Sequence, residues 1–142
     1  MTEYAQSMKK KVLVVEDGKL SRAIIVATLE SNGLQCIPAE NGKQALELLT
    51  TIHCDLILTD LVMPIVDGID FIKIVRKREK IAAKNSSIPI VVLSKQKDEL
   101  LETAIRLGIN DYFIKSVPII NLVPKLKYLL REIVWPQPIH PN

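Results

Sequence analysis

Leu56-Ile57-Leu58-Thr59-Asp60-Leu61-Val62-Met63-Pro64-Ile65-Val66-Asp67-Gly68 is the stretch that decides the fold. It begins as an apolar run of strand length and stops abruptly on a carboxylate. Pro64 and Gly68 then punctuate a loop. From about Ile69 to Lys84 the spacing turns helical, with Phe71, Ile72, Val75 and Ile81 as the expected apolar stripe. A short apolar run with no polar alternation suits a strand buried on both faces, as in a parallel sheet.

The same unit recurs on either side. Val12-Leu13-Val14-Val15 ends at Glu16-Asp17, Ile90-Val91-Val92-Leu93 ends at Ser94, and Tyr112-Phe113-Ile114 ends at Lys115. Leu34-Gln35-Cys36-Ile37 is a further strand, followed by Pro38-Ala39-Glu40. Between the strands lie helical patterns. Leu20, Ala23, Ile24 and Ala27 form one, which Asn32-Gly33 stops. Asn41 caps a second, carrying Ala45, Leu46, Leu48 and Leu49. Leu100, Leu101, Ala104 and Ile105 form another, ending near Gly108. Leu122, Leu126, Leu129, Leu130 and Ile133 mark the last, with Pro124 in its first turn, where a missing N–H is tolerated. Five alternations of strand and helix predict an α/β fold, a doubly wound parallel sheet covered on both faces by right-handed crossovers.

Composition sets the bounds. With 142 residues, 48% hydrophobic and 25% charged, the chain suits one globular domain and excludes wholesale disorder. No apolar run approaches ~18 residues, and Met1–Lys10 has no apolar core, so neither a membrane span nor a secretory signal is expected. A net charge of +3 and 4% aromatic residues give no footing for direct nucleic-acid binding. Cys36 and Cys54 are unpatterned and read as small core residues of a reducing compartment, which points to a cytoplasmic location.

In doubly wound sheets, ligands bind at the carboxyl ends of the strands. Glu16, Asp17, Asp60, Ser94 and Lys115 all fall there. Singly, each has an ordinary reading: Glu16 or Asp17 caps a helix beginning near Lys19, Ser94 is a cap, and Lys115 is solvated. Together they form a different object. Clustered carboxylates repel one another, and a hard divalent cation such as Mg²⁺ removes that repulsion. With a lysine and a hydroxyl beside them, one carboxylate could take up a phosphoryl group as an acyl phosphate.

These motifs, across residues 11–133, resemble the receiver domain of two-component response regulators. Asp60 through Gly68 looks like that family's phospho-acceptor strand and loop, Glu16-Asp17 like its acidic pair, Ser94 like its strand-end hydroxyl, and Tyr112-Phe113-Ile114-Lys115 like its aromatic-x-x-Lys. The resemblance implies a flavodoxin-like (βα)5 fold with strand order 2-1-3-4-5. It places a polar lead-in at residues 1–10, the receiver at 11–134 and a Pro-rich tail or linker start at 135–142. It implies that Asp60 accepts a phosphoryl group from a sensor histidine kinase or a histidine phosphotransfer protein. Mg²⁺ would be held by Glu16 (mostly through water), Asp17, Asp60 and the backbone carbonyl of Val62. Ser94 and Lys115 would contact the phosphoryl group, and Ser94 with Tyr112 would form the switch. The chain would then act as a signalling module, catalysing only its own phosphorylation and dephosphorylation. Output would come from an effector protein or a missing C-terminal domain, with homodimerisation through helix four, strand five and helix five as one option. A docking module independent of phosphorylation and a small phosphohydrolase with an Asp nucleophile are the alternatives.

Some positions depart from that family's habit. Lys95 stands where a small residue is usual, and Ser116 where proline usually follows the lysine. The Ile81–Ile88 stretch is long. Val62 and Gln96 flank the expected phosphoryl position, and an apolar Val62 cannot orient an attacking water, which predicts slow self-dephosphorylation. Lys73, Arg76, Lys77, Arg78, Lys80 and Lys84 make the third helix basic, either as a solvated face or as a docking face for an acidic partner. Met63 reads as packing, Trp135 as cover for the last helix, and His53 and His140 carry no assigned role.

Overall fold

Five parallel strands form one sheet in a computed structural model that describes residues 9–131. In chain order the elements are β1 (Lys11–Val15), α1 (Lys19–Glu30), β2 (Gln35–Ala39), α2 (Gly42–Leu49), β3 (Leu56–Asp60), α3 (Gly68–Ile81), β4 (Ile90–Ser94), α4 (Glu99–Arg106) and β5 (Asp111–Ile114). A 3₁₀ turn (Ile119–Asn121) leads into α5 (Leu122–Leu129). The strand order is β2-β1-β3-β4-β5, so the expected topology is the observed one. The order reverses between β1 and β3, which lie side by side with Val15 opposite Thr59. That is the switch point where the crevice of such a sheet opens.

The apolar runs form the strands because both of their faces are covered. β3 and β4 are buried at every residue. One core layer packs Leu13, Ile57, Phe71, Ile72 and Ala104 on one side of the sheet. The other packs Val12, Val14, Ile25, Leu29, Leu58 and Leu126. β2 is an edge strand, and so it accommodates Pro38, which cannot donate to a ladder.

Three helices depart from expectation. On α1, Leu20, Ala23, Ile24 and Ala27 face solvent, while Ile25 and Leu29 enter the core. Two interleaved stripes share that sequence, and the one carrying Ile25 and Leu29 meets the sheet. On α4, Leu101 and Ala104 are buried but Leu100 and Ile105 are exposed. α3 stops at Ile81 rather than Lys84. Ala83 takes φ 53°, and the Lys84 N–H reaches back to the Glu79 carbonyl at 3.1 Å, a helix stop usually made by glycine. Ile81, read from sequence as core, is the last helical residue, lies out of phase with buried Phe71, Ile72 and Val75, and is 75% exposed. α1 ends as expected, with Gly33 at φ 90° and the Leu34 N–H on the Leu29 carbonyl. Asn41 caps α2 by accepting the Gln44 N–H at 2.8 Å.

Cys54 is buried, whereas Cys36 is only half-buried on the edge strand. Burial raises both thiols, to about 12 for Cys36 and about 11 for Cys54, so neither is a reactive nucleophile. Met63 is buried as expected. Ile133, Trp135 and His140 lie outside the described residues. No helix among the described residues is long and apolar enough to cross a membrane.

Candidate phosphoryl and metal site

Each strand delivers its last residue to one rim. Glu16 directly follows β1 and is held there by the Ala39 carbonyl, which accepts its N–H at 3.1 Å. Asp60 and Ser94 are the final residues of β3 and β4. Lys115 follows β5, and its N–H donates to the Ser94 carbonyl at 2.8 Å, which ties the two strand ends together. Helix α3 comes close behind. The Gly68 N–H donates to the Leu61 carbonyl at 2.8 Å, and a Cβ on Gly68 would collide with the Asp60 carbonyl and the Leu61 backbone. Only glycine fits that approach. Asp67 caps the helix by accepting the Asp70 N–H at 2.9 Å. In the intervening loop Ile65 adopts φ 71°, a left-handed conformation costly for a β-branched residue.

The side chains converge as the sequence predicts. The Lys115 Nζ lies 2.8 Å from Asp60 Oδ2 and 2.8 Å from Glu16 Oε1. Asp60 Oδ1 accepts the Leu61 N–H at 2.7 Å. Glu16 is buried, and its Oε2 accepts the Gly18 N–H at 3.0 Å. The Ser21 hydroxyl donates to its other oxygen at 3.2 Å. The helix-capping alternative for Glu16 and Asp17 is set aside: Gly18 is the N-cap of α1 and makes no side-chain cap. The Ser94 hydroxyl donates to the Gln96 carbonyl at 2.7 Å. Val62 is 67% exposed beside Asp60, and its backbone N–H is 3.4 Å from Asp60 Oδ1. Glu16, Asp17, Asp60, Val62, Ser94 and Lys115, with Lys95 and Gln96, line a cavity of about 630 Å³. Tyr112 does not line it. Its ring is half-buried on β5 with Lys97 Nζ 5.7 Å from the ring centroid.

The charges respond to that geometry. Burial pushes Glu16 up, but the hydrogen bond and charge of Lys115 and the Gly18 N–H outweigh it and hold the carboxyl below its usual range. Asp17 is raised, by partial burial and by its neighbour Glu16. Burial lowers Lys115, but its bonds to Asp60 and Glu16 prevail and raise it.

A divalent cation fits this cluster. Glu16, Asp17 and Asp60 each offer a carboxylate oxygen, and the three oxygens lie within 4.8 Å of one another. The donors are all hard oxygens, and exposed Asp17 leaves room for water, as Mg²⁺ prefers. The acidic pocket fits a phospho-acceptor site.

Sequence reasoning missed the support behind the pocket. Ser21 and Arg22 come from the first turn of α1, where the Arg22 guanidinium donates to the Glu16 carbonyl at 2.8 Å. Nothing in their spacing signals that role. Asp98 also lines the pocket and caps α4 by accepting the Leu101 N–H at 3.1 Å. Its position three residues before Leu101 was a legible capping signal.

The sequence pattern of the response regulator receiver domain matches residues 12–127. The phosphate regulon transcriptional regulatory protein PhoB of Klebsiella pneumoniae is 36% identical over 129 residues, covering 89% of this chain and 54% of that protein. The chain spans about half the length of the curated relatives it matches. Among solved structures, the receiver domain of the Francisella response regulator 1452 aligns with TM-score 0.76 and 32% identity, over 87% of this chain and 98% of that one. The receiver domain of the sensor histidine kinase PA1611 from Pseudomonas aeruginosa, solved with a magnesium ion in its active-site cleft, aligns with TM-score 0.76 and 26% identity, over 87% and 98%.

Proposed function

The chain belongs to the response regulator receiver domain family, and from that premise we propose that Asp60 is the phospho-acceptor of a histidine-to-aspartate relay. Receiver domains are signalling modules rather than turnover enzymes, and the docking-only and phosphohydrolase alternatives are not favoured. The observation that carries the proposal is the convergence of three carboxylates on one rim with Lys115 bridging two of them. Asp60 attacks the phosphorus of a phosphohistidine. A P–O bond forms as the P–N bond breaks, and the imidazole nitrogen leaves and takes a proton.

Glu16, Asp17, Asp60 and the Val62 carbonyl would hold Mg²⁺, which when bound offsets the charge of the transferring phosphoryl oxygens. Lys115 supplies a fixed positive charge beside Asp60 and pairs with the phosphoryl group. The Ser94 hydroxyl has a single proton, now given to the Gln96 carbonyl. Donating it to a phosphoryl oxygen means releasing Gln96, and that release is the switch step. Tyr112, half-buried on β5 beneath Lys97, is the aromatic that responds. Exposed, apolar Val62 cannot orient an attacking water, which leaves the Gln96 amide and supports a long-lived acyl phosphate. In this reading the domain spans residues 11–134, works in the cytoplasm, receives from a sensor kinase or phosphotransfer protein, and signals through α4, β5 and α5.

The test is mass spectrometry after incubation with Mg²⁺ and acetyl phosphate. The wild-type chain should gain one phosphoryl group and Asp60→Asn none. Gain in the variant, or none in the wild type, would overturn the assignment. EDTA should abolish the gain.

A further inference from the structure

The third helix carries a feature that the phosphoryl pocket does not use. Lys73, Lys77 and Lys80 are exposed on its outer face at helical spacing, spanning about 10 Å along the axis. With Lys84 just beyond the helix and Arg106 at the end of α4, they line a cavity of about 690 Å³. None of these five cations has an ion pair among the described residues. Glu79, which also lines the cavity, is already committed to Arg76 at 2.8 Å and to the Ile88 N–H at 2.6 Å.

Apolar surface adjoins this charge. Ile81, 75% exposed, stands one helical turn beyond Lys77. A second cavity of about 580 Å³ shares Glu79, Lys84, Ser86 and Ser87 with the first. Its walls include Leu49, Ile52, Cys54 and Val75.

We propose that this groove docks an acidic amphipathic segment of a partner protein. Its carboxylates, at i, i+4 and i+7, would match Lys73, Lys77 and Lys80, and an apolar side chain would seat beside Ile81. Charge complementarity chooses the sign of the partner, and the adjoining apolar wall chooses polypeptide over nucleic acid. Two further facts favour that choice. The five cations exceed the whole chain's net charge of +3, so the rest of the molecule is net negative and would repel a long phosphate backbone. Among the described residues no Phe, Tyr or Trp lines the groove to stack on a base, and His53 is its one imidazole. The proposal is independent of Asp60.

The experiment is an NMR titration of the ¹⁵N-labelled full chain with a synthetic helical peptide. The peptide carries glutamate at i, i+4 and i+7 and one leucine on the same face. A peptide of identical composition in scrambled order and a short DNA duplex serve as comparators. Amide shifts should centre on residues 73–84 and 106–108. A Lys77→Glu/Lys80→Glu double variant should weaken binding about tenfold, with weaker binding at higher salt. Ile81→Ser should weaken it severalfold while leaving the salt dependence intact. All three positions are exposed, and a thermal melt verifies that each variant remains folded. Equal affinity for the scrambled peptide would overturn the proposal. So would tighter binding of the duplex, shifts confined to the Asp60 pocket, or self-association of the chain that the double variant abolishes.

Discussion

At the carboxyl ends of the strands Lys115 lies 2.8 Å from both Glu16 and Asp60, whereas on the outer face of α3 Lys73, Lys77 and Lys80 have no ion-pair partner among the described residues. Both regions are strongly charged, and they differ in what the backbone does with the charge. In the pocket, the sheet fixes each charged group at a strand end and supplies N–H groups to the carboxylates. On α3, the helix only spaces its cations and leaves them hydrated. Charge fixed by the fold is poised for chemistry. Charge left on a flexible stem contributes little to stability and is available to a partner.

The largest expected effect tests how the pocket is fixed. Gly68→Ala puts a methyl group against the Asp60 carbonyl and the Leu61 backbone, neither of which can move without moving β3. A loss of about 3 kcal/mol is expected, in the upper range for overpacking, measured by urea unfolding. Stability within about 0.5 kcal/mol of wild type would mean that the helix is not clamped to β3.

Lys115→Met tests the pairing itself. Glu16 and Asp60, both buried, would lose their cation, and we expect a cost of about 2 kcal/mol at pH 7, below the figure for a fully buried pair because Lys115 is partly open to solvent. The pH dependence is the sharper readout. In the wild type Glu16 is depressed from its ordinary value of 4.5, so its contribution is present above pH 4.5 and is lost as pH falls through the depressed value. Lys115 is raised from 10.5, so its contribution is complete below pH 10.5 and is lost as pH climbs through the raised value. Asp17 is raised from 3.8 and works in the opposite sense, costing stability as it ionises. The variant retains the burial that raises Glu16 and lacks the charge that lowers it. Between pH 4 and pH 7 its stability should therefore gain less from Glu16 ionisation than the wild type's does, a flatter slope followed by thermal melts. An unchanged slope would detach Lys115 from the Glu16 titration.

The two regions were unequally legible in the sequence. The strands and their terminal residues could be read because a strand buried on both faces is apolar throughout, so its end is marked by the first charge. Glu16, Asp60, Ser94 and Lys115 were therefore found together. Helix phase was harder. On α1 the stripe Leu20, Ala23, Ile24, Ala27 has the right spacing and faces solvent, while Ile25 and Leu29 are buried. Spacing alone does not say which of two overlapping stripes meets the sheet. Ser21 and Arg22 were invisible for a related reason, since they reach back across a turn to Glu16. The end of α3 was misplaced because Ala83 carries none of glycine's signal while adopting its conformation.

Arg76 and Lys77 give the finest division between fixed and free charge, because they are adjacent on α3 and look alike in sequence. Arg76 is not on the free face. Its guanidinium donates to Glu79 Oε1 at 2.8 Å, to the Ile88 carbonyl at 2.9 Å, to the Gly108 carbonyl at 3.0 Å and to Asn110 Oδ1 at 3.3 Å. Arg78 likewise donates to the Leu46 carbonyl at 3.1 Å. Arg76 thus ties α3 to the end of the long segment before β4 and to the α4–β5 turn, with Glu79 accepting the Ile88 N–H beside it. Arg76→Ala should cost about 1.5 kcal/mol, since bonds to a charged donor are worth more than neutral ones and several are lost together. Hydrogen exchange should quicken at Ile88 and Asn110 while β1 stays protected. Lys77→Ala should change stability by less than about 0.5 kcal/mol, as expected of an exposed, unpaired cation. A cost for Lys77 equal to that for Arg76 would show that the stripe is structural, and would remove the reason for looking to a partner.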